Sequence, residues 1–384
     1  MAGRSDVSWI SSEGSRRAKS AVAVALSFVI ILGSMGFVSW KGYGYYMDWR
    51  QKDDYIGNGD QPVQIVIEDG WGWSNVADTL VAQDVIRDPT LFVNDAIQLT
   101  GPNGGPNHYG TWNLKTHLPA ATALQMLTDP KNLVKLSVTI PEGLRLDQVF
   151  PILIDKVGLT QDDINQAVAA AEKDPASIHL NAAAKNDLEG FLFPDTYVLY
   201  PPVDSDPTSI LTAMADEFNT VAKTIDLDAK AKALKVSTQQ AVVIASLIEA
   251  EVSQDADRAK VARVIYNRLA DNMPLGVESA FRYGRLMADG TPYNDPITQA
   301  SMQDASLPYN VYTNPGLPKT PIDSPGQASL EAAVNPAAGN WLYWVTVNLD
   351  TGETKFASDE AGFQELVGEF QAWCAANGNP TGCS

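Results

Sequence analysis

The chain reads as an α+β protein, with two folded units behind a single N-terminal transmembrane helix. Three observations predict this. At 384 residues it is longer than one hydrophobic core usually organises. A charge-free apolar run, "AVAVALSFVIILGSMGFV" from Ala21 to Val38, lies close behind the N-terminus. Downstream, short strand-like alternations mix with longer stretches of helical period, as α+β units require.

The apolar run reaches about 27 Å as a helix, enough to cross the hydrocarbon core of a bilayer. Arg4, Arg16, Arg17 and Lys19 precede it, and Trp40, Tyr43, Tyr45 and Tyr46 follow as an interfacial belt. The positive-inside rule places residues 1–20 in the cytoplasm, 21–40 across the cell membrane and the remainder outside, as a single-pass protein. A cleaved signal peptide is the rival reading. The length of the core, and the lack of a small-x-small site before "WKGYGYYMDW", favour an uncleaved anchor.

Residues 41–60 are polar and aperiodic, a juxtamembrane linker. The first folded unit, 61–135, opens with "VQIVIE" alternating as a strand up to the turn signal Asp69-Gly70. "SNVADTLVAQDVI" then reads as an amphipathic helix with Ser74 as N-cap. Asp88-Pro89 starts a second helix with proline in its first position. After the Pro/Gly/Asn loop 101–107, "HYGTWNL" returns as a strand, which makes a β-α-α-β unit, and a further helix covers 120–127. Trp71 and Trp73 fit either a sugar-stacking face or the core. The beginning of the second unit, "VTIPEGLRLDQVFPIL", echoes "IVIEDGWGWSNVADTL", although any strand–glycine turn–helix start would look similar.

The second unit, 136–384, shows helical periods over 160–173, 207–233 and 238–271, then an irregular Pro/Gly-rich region over 273–325. Ser324-Pro325-Gly326-Gln327 reads as a helix start with Ser324 as N-cap. "WLYWVTV" and "TKFA" flank Asp350-Thr351-Gly352-Glu353 and pair as a hairpin. "EAGFQELVGEFQAW" closes the chain as a helix. Cys374 and Cys383 are the only two cysteines. Outside a membrane they are expected to pair and staple the C-terminal tail; two unpaired surface thiols are the alternative.

Several function classes fall away on composition. A formal net charge of −19 argues against nucleic acid. The 3 histidines are scattered, with no HExxH and no Cys/His spacing, so neither a zinc site nor any other metal or cofactor is expected. No serine has a lysine three residues on, which removes acyl transfer of the penicillin-binding kind.

What remains is "AVVIASLIEAEVSQ", residues 241–254, an apolar helix carrying Glu249 and Glu251 and no Lys or Arg. Glycosidic cleavage ordinarily uses two facing carboxyl groups. Residues two apart on a helix point to nearly opposite sides, so only one of these two can occupy a site. Glu249 follows Leu247-Ile248 and lies one turn after Ala245, a small residue that leaves room for a ligand. Aliphatic surroundings are expected to raise its pKa and let it act as an acid. Glu251 leads into the polar "SQDADR" and is expected to face water or a later arginine. A glutamate at the solvent edge of a helix, with no catalytic role, is the plainer reading of either.

"IPEGLRLDQV", "LEGFLFPDTYVL", "ASLIEAEV", "RVIYNRL" and "YNVYTNPGLPKTPIDSPGQASLEAAVNPA" occur in order between about residues 61 and 370. Together they resemble the membrane-anchored endolytic murein transglycosylases of the YceG-like family. The resemblance implies a small LysM-like unit and a catalytic domain facing the cell wall. It implies lytic cleavage of the MurNAc–GlcNAc bond inside nascent peptidoglycan strands, with cell-wall synthases as partners. By position within "ASLIEAEV" the family's catalytic glutamate falls on Glu249. Because the muramyl 6-hydroxyl attacks its own C1 to give a 1,6-anhydro end, no second carboxylate is obligatory.

Other candidates are subsidiary. Glu189 in "LEGFLFPDTY" either contacts substrate or orients Glu249, or else satisfies loop amides. Asp195 caps a turn. Tyr309, Asn310 and Tyr312 either contact sugar hydroxyls and stack, or pack their loop. Asn267 and Arg268 lie on the helix downstream of Glu249, where Arg268 also fits a salt bridge. "MPLGVESAFRYG" departs from the family's pattern, which has Gln after its Leu and then Asp-Pro/Ser-Thr; here stand Gly276, Glu278, Ser279 and Ala280, and Glu278 takes the Asp role with a longer arm. A non-catalytic wall-binding or scaffold protein of the same fold is the competing function.

Overall fold

The structure is a computed structural model that describes residue 41 and residues 54–383, apart from 102, 103, 107, 294, 296, 381 and 382. The apolar run 21–38 and the segments flanking it lie outside the described residues. Among those described, no helix is long and apolar enough to cross a membrane. The chain is α+β, and it divides into two compact units at Leu133/Val134.

In the first unit, β1 (Pro62–Ile67) pairs antiparallel with β2 (Gly110–Lys115), Ile65 opposite Trp112. The period-2 alternation turns Ile65 and Ile67 inward. Helices α1 (Trp73–Ala82) and α2 (Pro89–Thr100) pack together, and α3 (Ala120–Thr128) follows β2. Asp88 caps α2 by accepting from the Thr90 and Leu91 N–H groups, with Pro89 in the first turn as expected. α1 starts earlier than its sequence signal: its N-cap is Gly72, not Ser74. The reason is Trp73, which is buried, meets Phe92 edge-on, and donates its ring N–H to Thr100 Oγ1 at 2.8 Å. Trp73 is therefore a core residue.

The second unit opens with β3 (Leu136–Thr139), antiparallel to β4 (Thr196–Leu199). Between them lie α4 (Leu146–Val157) and α5 (Gln161–Lys173). Then come α6 (Pro207–Thr224), α7 (Leu227–Ala233), α8 (Thr238–Glu251), α9 (Asp255–Ala270) and α10 (Glu278–Asp289). After the short α11 (Gln299–Met302) and α12 (Gln327–Val334), the hairpin β5 (Tyr343–Asn348) and β6 (Glu353–Ala357) leads to α13 (Glu360–Ala376).

α8 is the buried axis of this unit. Ala241 to Ile248 are all buried, and α7, α9, α10 and α12 pack around them. Ser237 and Gln240 form a reciprocal capping box at its start.

Four expectations change here. The period over 207–233 breaks at Asp226, which takes a left-handed φ of +57°. The period over 238–271 breaks at Val252, whose extended backbone (φ −129°, ψ 121°) ends α8 and lets α9 turn back. Third, the region over 273–325 contains α10. That helix has no side-chain cap at its start and so carried no boundary signal. α12 also begins late, at Gly326 rather than Ser324. The Ser324 backbone is already committed: it accepts from Gly143 N–H at 2.9 Å and donates to Leu144 O at 3.0 Å.

Candidate active site

Glu249 lies in the last turn of α8, where the helix emerges from the core. Its side chain lines a cleft of about 490 Å³. One wall is the β3–α4 turn with Glu142, Gly143 and Arg145. The opposite wall is α10, through Ser279, Arg282 and Tyr283, and Ile322 and Asp323 complete the cleft.

Two hydrogen bonds one helical turn apart tie α8 to the 322–326 loop. Ser246 Oγ, fully buried, accepts from Ile322 N–H at 3.1 Å. Glu249 Oε2 accepts from Gly326 N–H, at the start of α12, at 3.1 Å. An anion at a helix N-terminus meets both a free donor and the positive end of the helix dipole.

The absence of a side chain at Gly326 leaves room for the end of the Glu142 side chain, which would have to move if a Cβ stood there. Gly143, at φ +73°, makes the turn that brings Glu142 and Arg145 to the cleft, and a Cβ on it would stand 3.5 Å from Glu249 Cγ.

Glu249 Oε2 also lies 3.2 Å from Arg258 Nη1. Arg258 is held in turn by Asp255 Oδ1 at 2.9 Å and by Ser329 on α12. No hydrogen bond among the described residues reaches Glu249 Oε1. The carboxylate is thus gripped by one oxygen, and the other is left for a ligand. The sequence showed only aliphatic neighbours; the structure adds a cation.

The arginine expected for Glu251 is found at the other glutamate. It is Glu249 that meets the later arginine, while Glu251 accepts from Ser279 N–H at 3.3 Å in the first turn of α10. Burial pushes the Glu251 carboxyl upward. Its place is a tether between α8 and α10.

Two further acids line the cleft that the sequence reading did not select. Burial raises Glu142, and the negative charge of Glu249 adds to this. Asp323 is 3% exposed; burial, then the charges of Glu249 and Glu189, push it well above the usual carboxylate range. Both lie inside quoted motifs, "IPEGLRLDQV" and "PKTPIDSPGQ", so position within a motif was the available signal.

The other candidates sit elsewhere. Glu189 is buried beside α4, accepts from Leu146 N–H with both oxygens at 3.3 Å, and is pushed up to about 8 by burial. Glu278 is largely exposed and pairs with Arg282 at 2.7 Å; only its neighbour Ser279 lines the cleft. Tyr309 shares a hydrogen bond with Thr320 Oγ1 at 2.6 Å and packs edge-on against Tyr283. Asn310 is fully buried, donating to Met302 O and Asp304 O and accepting from Tyr312 N–H. Tyr312 meets Phe281 edge-on, and burial pushes its hydroxyl up to about 12.

These last three residues pack the loop behind α10. Asp195 accepts from Thr196 N–H in a turn. Asn267 and Arg268 donate to the backbone carbonyls of Trp341 and Leu342. Cys374 and Cys383 form a disulfide with a Cα–Cα distance of 5.8 Å, well away from Glu249 along the chain. Among the described residues no acidic, histidine or cysteine group is arranged to hold a metal ion.

Comparison with known proteins places this geometry in context. The model of the YceG-like family matches residues 65–369. An endolytic murein transglycosylase of Bacillus subtilis is 30% identical over 304 residues, covering 77% of this chain and 81% of the relative. One of Streptococcus pneumoniae is 28% identical over 372 residues, covering 90% of this chain and 65% of the relative. Among solved structures, a yceG-like protein of Listeria monocytogenes superposes with a TM-score of 0.50 at 25% identity, over 80% of this chain and 100% of that one.

Proposed function

The chain belongs to the YceG-like family, and from that premise we propose that it is a peptidoglycan lytic transglycosylase. It cuts the MurNAc–GlcNAc bond inside nascent glycan strands and leaves 1,6-anhydro-MurNAc ends, which terminates strand elongation. The observation that supports this most is the setting of Glu249: a carboxyl group in a cleft, fixed through Oε2 with Oε1 unengaged.

The chemistry needs one such group. Protonated Glu249 gives its proton to the bridging oxygen as the C1–O bond breaks. The resulting carboxylate takes the proton of the muramyl 6-hydroxyl as that oxygen bonds to C1. The proton count closes without water, so Glu249 alone can serve both steps. Gly326 and Arg258 hold it in place between them, which favours reaction by positioning.

In this reading residues 21–40 anchor the chain in the cell membrane, and the cleft faces the wall beside its synthases. The β-α-α-β unit would be LysM-like and lie along the glycan.

The test is digestion of purified glycan strands by the detergent-solubilised full chain, followed by mass analysis of the new ends. The proposal expects anhydro ends. Reducing ends would make the protein a hydrolase, and no new ends would leave a wall-binding scaffold.

A further inference from the structure

Asp323 differs from every other acid around the cleft. It is 3% exposed, and its Oδ1 has no hydrogen-bond partner among the described residues. No ion pair of the described residues reaches it. Its loop cannot swing it out to water without cost, because Ile322 N–H is bonded to Ser246, and Ser324 is bonded at both backbone atoms to the β3–α4 turn. A buried carboxylate without a partner is expensive, and the neutral acid is the form such a site tolerates.

Glu249 from α8 and Arg145 from the start of α4 line the same cleft as Asp323, and these two, with Glu189 from the segment before β4, are the titratable groups near enough to act on its charge. Arg145 is committed to Asp147 at 2.9 Å. Beyond Glu249 stand Glu142 and Arg258, the latter bound to Glu249 and Asp255. Two acids thus act on Asp323, and both arginines are paired with other acids.

Resting on the reading of Glu249 above, we propose that Asp323 is a positioning acid that keeps its proton throughout the cycle. Its O–H presents a dipole, and no charge, to the carboxylate that Glu249 becomes after donating. No atom is transferred from Asp323: it only sets the field in which Glu249 loses and regains its proton. Ionisation of Asp323 at alkaline pH would place a second negative charge beside Glu249 and oppose its turnover.

The experiment compares pH–rate profiles of the full chain and its Asp323→Asn and Asp323→Ala variants on glycan strands, with Glu249→Gln as control. Asn cannot ionise and keeps a donor. It is expected to lower kcat about tenfold at neutral pH while its alkaline limb moves upward by about a pH unit or more. Ala is expected to lower kcat about 100-fold with KM changed by less than about threefold, as for loss of a preorganised group. If the Asn profile overlays that of the parent chain in shape, Asp323 is only a packing residue and the proposal falls.

Carbon-13 NMR titration of the parent chain labelled at aspartate needs no variant to fold. One aspartate carboxyl should remain protonated at neutral pH, and complete titration below that would overturn the proposal. Scission surviving in Glu249→Gln would instead overturn the reading of Glu249 itself.

Discussion

Arg258 Nη1 lies 3.2 Å from Glu249 Oε2, with the two side chains only 9% and 8% exposed. The contact exists because Val252 ends α8 in an extended turn and α9 runs back, so that Arg258, one turn into α9, reaches the preceding helix. With Gly326 at the start of α12 on the same oxygen, Glu249 joins three helices through a single atom. A buried ion pair adds little net stability, but removing one partner strands the other charge.

Arg258→Met is therefore expected to cost about 3–5 kcal/mol in denaturant unfolding, the range for breaking a buried pair. Arg258→Lys should cost less, yet still impair cleavage, because a lysine cannot hold Glu249, Asp255 and Ser329 in one planar fork.

Glu189 makes stability pH-dependent in a defined window. Its folded pKa is raised from 4.5 to about 8 by burial, so the native state holds a proton that the unfolded chain releases. The stability this gives is complete below the unfolded value and is lost as pH rises through about 8. Glu189→Gln, which cannot ionise, should match the parent below pH about 4.5, become progressively the more stable of the two as pH rises from there, and show its full advantage by about 8. Thermal unfolding of both across that range is the measurement.

Gly326 is a steric test of the site. Gly326→Ala puts a Cβ where the end of the Glu142 side chain now lies, so that Glu142 must swing aside, with little loss of stability because that side chain is flexible. Displacement of the Glu142 carboxyl from the cleft should lower kcat by about tenfold with the fold retained, as circular dichroism and end analysis would show together. Wild-type kcat in this variant would mean that the position of Glu142 is incidental.

The disulfide closes a short loop at the end of α13. Reduction, or Cys383→Ser, is expected to lower stability by about 2–3 kcal/mol at most. Because neither cysteine is among the residues that line the cleft, cleavage by the folded protein should be unchanged.

How much of this was readable from the residues depended on whether a signal was local. The hairpin at Asp350–Glu353, the capped start of α2 and the buried face of α8 all carry their cause within a few residues, and the structure shows them. Breaks at Asp226 and Val252 did not stand out, because the apolar period continues through each and only tertiary packing decides where a helix turns. Glu249 was legible as a carboxylate set in an apolar helix. Its partners were not: Arg258 sits in "SQDADR", which looks like a solvated face, and Gly326 comes from over seventy residues away. The tether between Glu251 and Ser279 was hidden for the same reason, since α10 carries no capping side chain.

The most direct measurement is the release of anhydro-muropeptides from purified sacculi by Glu249→Gln and Glu251→Gln side by side. Glu249→Gln should release none above background while keeping its fold. Glu251→Gln should still release them, with some loss of stability from the weakened tether to α10. Normal release by Glu249→Gln would show that the proton passes through some other group.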